Sequence, residues 1–259
     1  AYLAASYAAA AKILDDASLL TKAKSILSYI QQHNIKDDVL FRTTNQKAFL
    51  DDYAALIRAY LEVFLVSFEV SFLHEAIRLN RTMHDLFFDT QEKKYQFAMQ
   101  SDLSYPQTYE ALDTSSPSAQ SIIAHNRFLL HAILDECEDT FKAKKQLDRF
   151  QVQMQEMPLT SVHMIHAYLK QTTHRIKIVI IYQEMTTILQ EIIHQMHIYD
   201  SPFITFIALS KEEARKSPYF EEYLVQEPFL FTYCENGACD EPLLDEHEAI
   251  EYLDLFVLK

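Results

Sequence analysis

The chain has 259 residues with a formal net charge of −14, and 49% of its residues are apolar, which is enough for a sizeable core. The negative charge argues against a nucleic acid or an anionic membrane as partner, because basic patches bind both. No apolar run approaches the roughly 18 to 20 residues needed to span a bilayer. Three cysteines without a C-x-x-C spacing favour a reducing compartment, so we expect the protein in the cytoplasm.

Helical periodicity fills the first two-thirds of the chain, and the helices come in pairs. The first helix of each pair is apolar almost all round and the second is amphipathic. The pairs are 1–14 with 18–32, 52–68 with 71–88, and 117–135 with 139–157, and an apolar helix at 158–169 has no second member. A helix buried on two sides beside one buried on a single side is typical of a ring of hairpins. The sequence therefore predicts that residues 1–173 form part of an (α/α) toroid, with the first helices innermost.

The pattern changes near residue 174 to β-branched runs separated by helical stretches. Strands are predicted at 176–182, 203–209 and 229–233, with helical stretches between them and after the last. Alternating strands and helices favour parallel pairing. The predicted fold class is thus mainly α, a partial (α/α) toroid of helical hairpins followed by a small parallel α/β unit over residues 174–259.

The only glycine of the chain, Gly237, lies in an Asn-Gly turn between Cys234 and Cys239. Average usage of about 7% would give roughly 18 glycines, so we expect φ > 0 at this position. The two cysteines predict a structural turn with free thiols, because a disulfide is not expected in a reducing cell. A zinc site and a redox role stay open as alternatives. Phosphate-binding P-loops and G-x-G-x-x-G motifs are excluded, because one glycine cannot build them.

Three segments carry a family resemblance. They are residues 49–54 (Phe-Leu-Asp-Asp-Tyr-Ala), residues 113–121 (Asp-Thr-Ser-Ser-Pro-Ser-Ala-Gln-Ser), and residues 233–239 with Pro242 behind them. Together they resemble the thioredoxin-domain-containing family that includes spermatogenesis-associated protein 20. The resemblance implies a six-hairpin toroid of the N-acylglucosamine 2-epimerase and glycosidase kind. It also implies a thioredoxin-like partner domain, which this chain does not contain. Residues 117–121 depart from the family's Pro-Ser-Gly-Asn-Ser pattern.

Two predicted helix entries carry the candidate site. Asp51 and Asp52 begin one inner helix, and Asp113 and Ser118 precede the next. Carboxylates that converge on a toroid's central pocket can transfer protons or hold sugar hydroxyls. The alternative is that these residues only cap helices, since Asp and Ser accept hydrogen bonds from free N–H groups there.

Further candidates complete the predicted site. Arg42 is expected to pair with one of the carboxylates, and Tyr53 and Tyr109 are expected to line the pocket. Sugar epimerases use pocket histidines to move protons, so the resemblance offers His125 as a base.

The other histidines do not predict a metal site. His163 and His166 are three residues apart, as are His194 and His197, but neither pair has a nearby cysteine or an H-E-x-x-H frame. We therefore favour surface or satisfied core histidines and expect no metal or other cofactor.

The function favoured by these observations is a carbohydrate-binding or carbohydrate-active toroid, with epimerisation or glycoside cleavage as the expected chemistry. The alternative is a non-catalytic helical module that stabilises, or binds a partner for, a larger thioredoxin-domain protein. The sequence leaves open whether the chain is an enzyme.

Overall fold

The computed structural model describes residues 1–99, 105, 108–109, 111–135, 147–172, 175–199 and 201–257. The α-helices of these ranges are α1 (Tyr2–Leu14), α2 (Ala17–Asn34), α3 (Leu50–Ser67), α4 (Val70–Phe87), α5 (Ala119–Leu134), α6 (Gln151–Glu156), α7 (Val162–Thr172), α8 (Thr187–Tyr199), α9 (Lys211–Ala214) and α10 (Glu246–Val257). The strands are β1 (Ile35–Lys36), β2 (Val39–Thr43), β3 (Gln46–Lys47), β4 (Phe88–Asp89), β5 (Lys94–Tyr95), β6 (Ile176–Tyr182), β7 (Ile204–Ser210), β8 (Phe229–Glu235) and β9 (Ala238–Cys239). Two 3-10 helices span Pro158–Thr160 and Pro218–Tyr223.

The first helix of each pair lies inside. Helix α3 buries 11 of its 18 residues, whereas α4 buries a single stripe that runs from Val70 to Phe87. Helices α1, α3, α5 and α7 pack against one another in series, and α2 and α4 pack onto α1 and α3. This arrangement confirms the predicted toroid portion with its first helices innermost.

The third hairpin is described only in part. Its predicted second helix, 139–157, falls partly on residues 136–146, which lie outside the described residues. Of that prediction the structure describes residues 147–157, which are helical at 147–149 and again in α6. The single helix predicted at 158–169 is a 3-10 turn followed by α7.

The C-terminal sheet is mixed rather than parallel. Its strand order is β7-β6-β8-β9, with β6 parallel to β7 but antiparallel to β8. Strand β7 ends at Ser210 and β8 begins at Phe229, and both residues are aligned with Tyr182 at one end of β6. Because β8 starts at the end of the sheet where β7 stops, it runs back antiparallel to β6, and the expectation of a third parallel strand is wrong.

Strands β8 and β9 form a hairpin around Gly237. Asn236 and Gly237 have φ values of 51° and 86°, and two successive positive φ values are typical of a type I′ turn. The predicted φ > 0 at the only glycine is confirmed. The hairpin register places Cys234 opposite Cys239, and the two residues form a disulfide. The expectation of free thiols is therefore wrong, because strand pairing brings the two side chains together.

The helical region and the sheet share one hydrophobic core. Its buried residues include Tyr53 of α3 and Ile180 of β6. The side chain of Lys177 is buried, and its Nζ donates to the Ile133 carbonyl oxygen at 2.9 Å and to the Asp135 carboxylate. A lysine at this position satisfies the free carbonyl end of α5. The predicted domain boundary near residue 174 stays a prediction.

None of the helices in the described ranges has both the length and the apolar character that crossing a bilayer requires.

Candidate functional site

A cavity of about 130 Å³ lies where two inner helices begin. Asp51 of α3 and Ser118 and Gln120 at the start of α5 contribute to its wall, together with Phe97 and Thr108 of the connecting segment. The first N–H groups of a helix are unpaired and carry partial positive charge. The cavity is thus bounded by two helix starts, one bearing a carboxylate and the other a hydroxyl.

Arg42 of β2 holds both carboxylates at the start of α3. Its Nη2 donates to Asp51 Oδ1 at 2.9 Å and Oδ2 at 2.8 Å, and its Nε donates to Asp52 Oδ2 at 2.8 Å. The predicted pairing of Arg42 is therefore present with both aspartates. We call Arg42, Asp51 and Asp52 the carboxylate corner.

The two aspartates of the carboxylate corner have different surroundings. Asp52 Oδ2 also accepts from the Phe49 backbone N–H at 2.9 Å, so Asp52 caps α3. Asp51 lies in the cavity wall, where burial and then the charge of Asp52 raise the pKa of its carboxyl, against the opposing effect of Arg42. The capping alternative therefore describes Asp52, whereas Asp51 is placed to meet a ligand.

Aromatic rings lie beside the carboxylate corner. Phe49 stacks on Phe97 with ring centroids 4.9 Å apart, and Tyr105 meets Phe49 edge-on at the same centroid distance. The guanidinium carbon of Arg42 lies 4.9 Å from the Phe49 ring centroid. Phe97 and Tyr105 were not predicted as site residues, because no periodicity or motif marks them. Their one signal in the sequence is that aromatic side chains recur after β5.

Asp113 joins the cavity wall to the neighbouring helix α7. Its Oδ1 accepts from the Ser118 N–H at 2.8 Å and from the Ser121 hydroxyl at 3.3 Å, and its Oδ2 accepts from the His163 N–H at 2.8 Å. Ser118 is the N-cap of α5, and its hydroxyl accepts from the Ser121 N–H. Asp113 therefore positions two helix starts, and its oxygens are already engaged by these donors.

Tyr53 and Tyr109 were expected to line the pocket, but neither contributes to the cavity wall. Tyr53 is fully buried, and its hydroxyl accepts from the Leu40 N–H at 2.8 Å, because α3 turns this side chain into the core. The hydroxyl of Tyr109 donates to Asp89 Oδ2 at 2.8 Å. Thr108, one residue earlier, contributes to the wall instead.

Three histidines meet where α5 packs against α7. His163 and His166 lie on one face of α7. These two residues and His125 each offer one ring nitrogen, and the three nitrogens all lie within 4.8 Å of one another. The ring centroid of His125 is 4.1 Å from that of His163 and 4.9 Å from that of His166. We call these three residues the histidine cluster. The sequence gives no sign of this cluster, because helix packing unites residues far apart in the chain.

Burial keeps the histidine cluster uncharged. Desolvation lowers the pKa of His125 to about 2, with the charges of His163 and Lys170 acting in the same direction. Desolvation also lowers the pKa of His163 to about 4, against the opposing charge of Asp113. The pKa of His166 is lowered as well, by desolvation and then by the charge of Lys170. A base at position 125 would be weak, which argues against the proton-moving role offered by the resemblance.

Helical hairpins with a cavity at the inner-helix starts define the chain as part of an (α/α) toroid. A solved GH76 α-mannanase of Bacteroides thetaiotaomicron superposes with a TM-score of 0.51 over 64% of this chain and 49% of that one, at 12% identity. A cellobiose 2-epimerase of Bacillus thermoamylovorans has a TM-score of 0.49 over 57% of this chain and 42% of its own, at 13% identity.

In sequence, the chain is similar to spermatogenesis-associated protein 20. The Homo sapiens protein is 29% identical over 208 residues, which cover 77% of this chain and 26% of the human one. The Rattus norvegicus protein is 26% identical over 265 residues, which cover 93% of this chain and 34% of the rat one. The chain thus spans about a quarter to a third of these relatives. No family model matches the chain. The resemblance stated from the three motifs is confirmed.

Proposed function

We propose that this chain binds a carbohydrate in the cavity between the starts of α3 and α5. The observation that carries the proposal is that one cavity wall combines the Asp51 carboxylate, the Phe97 ring and the Ser118 helix start. Sugars donate hydroxyl hydrogen bonds and pack their apolar faces on aromatic rings, so they need both kinds of group together. The toroid fold shared with an α-mannanase supports this choice of ligand class.

The size of the cavity favours a single sugar ring or part of one. A volume of about 130 Å³ corresponds to about four water molecules at roughly 30 Å³ each. Asp51 accepts hydroxyl hydrogen bonds in this proposal, while Arg42 pairs with the carboxylate and fixes its direction. Ser118 and Thr108 bound the opposite side. Asp113 and Asp52 position the helix starts rather than touch the sugar.

The carboxylate geometry favours binding over glycoside cleavage. Cleavage needs two independent carboxyl groups on either side of the scissile bond, about 5 to 9.5 Å apart. Asp51 and Asp52 are instead both held by one guanidinium, and Asp113 is occupied by backbone N–H groups. The same observation supports the second candidate function, a non-catalytic module that stabilises a larger protein with a thioredoxin-like domain.

The cytoplasmic location stays a prediction, and the Cys234–Cys239 disulfide is the observation against it.

A thermal-shift screen with free mannose, glucose, N-acetylglucosamine, mannobiose and cellobiose tests the proposal. A sugar at 100 times its dissociation constant should stabilise the protein by about 2.7 kcal/mol. Asp51→Asn should abolish that shift and leave the unliganded melting temperature unchanged, because it removes a partly exposed ion pair. Asp254→Asn, an exposed aspartate of α10, is the matched control. A sugar shift that survives Asp51→Asn would refute the site, and no shift with any sugar would favour the non-catalytic module.

A further inference from the structure

The histidine cluster has the composition of a metal site. His125 comes from α5 and the other two from one face of α7, so two packed helices deliver three imidazoles to one point. In a tetrahedral zinc site with Zn–N bonds of about 2.0 to 2.1 Å, the nitrogens stand about 3.3 Å apart. Nitrogens that already lie within 4.8 Å of one another reach that spacing by small ring rotations.

A hydrogen bond sets the tautomer of the innermost ring. Nε2 of His125 lies 3.0 Å from the His163 carbonyl oxygen. A carbonyl oxygen only accepts, so Nε2 carries the proton and Nδ1 keeps its lone pair. Metal-binding histidines commonly donate their second ring N–H to a backbone carbonyl in this way, which orients the ring. His125 is thus arranged as an Nδ1 ligand.

The exposure of the three rings gives an ion a way in. His125 is buried at 3% exposure, His163 is half-buried, and His166 is exposed to solvent. A site that opens on one side leaves a fourth position for water, as in zinc centres with three protein ligands.

We propose that His125, His163 and His166 bind one divalent transition-metal ion of the zinc class, with the fourth position open to solvent. Imidazole nitrogens suit Zn²⁺, Ni²⁺ and Cu²⁺, whereas Mg²⁺ and Ca²⁺ prefer oxygen ligands. The site is separate from the cavity proposed to bind sugar, because none of the three histidines contributes to that wall.

The charges nearest to the histidine cluster set the zinc affinity that we expect. Arg58 and Lys170 lie close enough to act on the histidines, and Asp113 acts on His163 with the opposite sign. Arg58 is itself paired with Glu62, which reduces its effect. Two cations near a dication weaken binding, so we expect a lower zinc affinity than that of structural zinc sites.

Calorimetric titration of the untagged, chelator-treated protein with Zn²⁺ alone tests the proposal. We expect one zinc per chain, and His166→Gln should weaken binding about tenfold or more while the urea midpoint stays unchanged, because this ring is exposed. His194→Gln is the matched control, since His194 belongs to the other pair at the same spacing and is only partly buried. The His194→Gln variant should bind zinc with the same affinity as the parent protein.

Cobalt substitution gives a second readout. Co²⁺ bound by three imidazoles should show visible absorption bands of a tetrahedral centre, and these should be lost in His163→Gln and kept in His194→Gln. Absence of saturable zinc binding in the calorimetric titration would overturn the proposal. Equal weakening by His166→Gln and His194→Gln would overturn it too. Sugar binding is not measured in either experiment, so a failed sugar screen leaves the zinc result standing.

Discussion

The carboxylate corner is built from β2 and α3, whereas the histidine cluster is built from α5 and α7. The two regions hold their polar groups by different means. In the corner, two carboxylates are paired with one guanidinium, since Arg42 holds Asp51 and Asp52. In the cluster, burial keeps the imidazoles neutral, and His125 is oriented by a backbone carbonyl.

This difference decides which ligand each region can take. A carboxylate that is already paired with a guanidinium can accept hydrogen bonds from a neutral ligand without a large change in electrostatic energy, which fits a sugar. Neutral nitrogens with available lone pairs gain most from a metal ion. Two regions of one fold can thus differ in ligand class although both are built from side chains on inner helices.

The largest expected effect comes from removing Asp113, which accepts hydrogen bonds from Ser118 in the cavity wall and from His163 at the start of α7. Asp113→Ala leaves the N–H groups of Ser118 and His163 without their acceptor, at a cost of about 1 to 3 kcal/mol each. We expect a loss of about 3 kcal/mol in the free energy of unfolding, which is a melting temperature lower by about 6 to 12 °C. Calorimetry should show weaker zinc and sugar binding together. With Asp148→Ala as an exposed control, a loss confined to one ligand would show that Asp113 does not link the regions.

A smaller loss of stability should distinguish Asp52 from Asp51 in the carboxylate corner. Asp52→Ala removes the cap of α3 and should cost about 1 to 2 kcal/mol in urea unfolding, because the Phe49 N–H loses its acceptor. Asp51→Ala should cost less than about 1 kcal/mol, since it loses only a partly exposed ion pair. Zinc affinity should not change in either variant. Equal destabilisation by the two changes would contradict the division between cap and ligand residue.

The smallest loss of stability is expected for substitutions of Ser118, at the edge of the cavity. Ser118→Ala removes the side-chain cap of α5 and should cost about 1 kcal/mol, whereas Ser118→Gly should cost only a few tenths. Denaturant titration of both variants gives the comparison. A difference below about 0.3 kcal/mol would show that the hydroxyl does not stabilise α5.

Much of the helical fold could be predicted from the sequence. The all-round apolar character of α3 and the single stripe of α4 are local patterns, and they correctly indicate which helix lies inside. The Asn-Gly turn was also predictable, because few residues adopt φ > 0 at low cost. The direction of β8 was not, since a buried strand reads the same whichever way its neighbour runs.

The candidate site was only partly predictable. Asp51 and Asp52 adjoin in sequence, so their common position follows from the start of one helix. Their different roles depend on which way each side chain leaves the helix, and a sequence pattern does not resolve that. The histidine cluster depends on the packing of α5 against α7, which joins residues 38 positions apart. The disulfide depends likewise on strand register rather than on cysteine spacing.

The single carboxylate of Asp113 has a thermodynamic consequence. One of its oxygens binds the cavity side and the other binds the start of the helix that carries His163 and His166. The two sites are coupled if a ligand on one side shifts this carboxylate and the shifted state binds the second ligand with a different free energy. Such linkage is reciprocal, so if zinc tightens sugar binding about fivefold, sugar must tighten zinc binding by the same factor, a coupling free energy of about 1 kcal/mol.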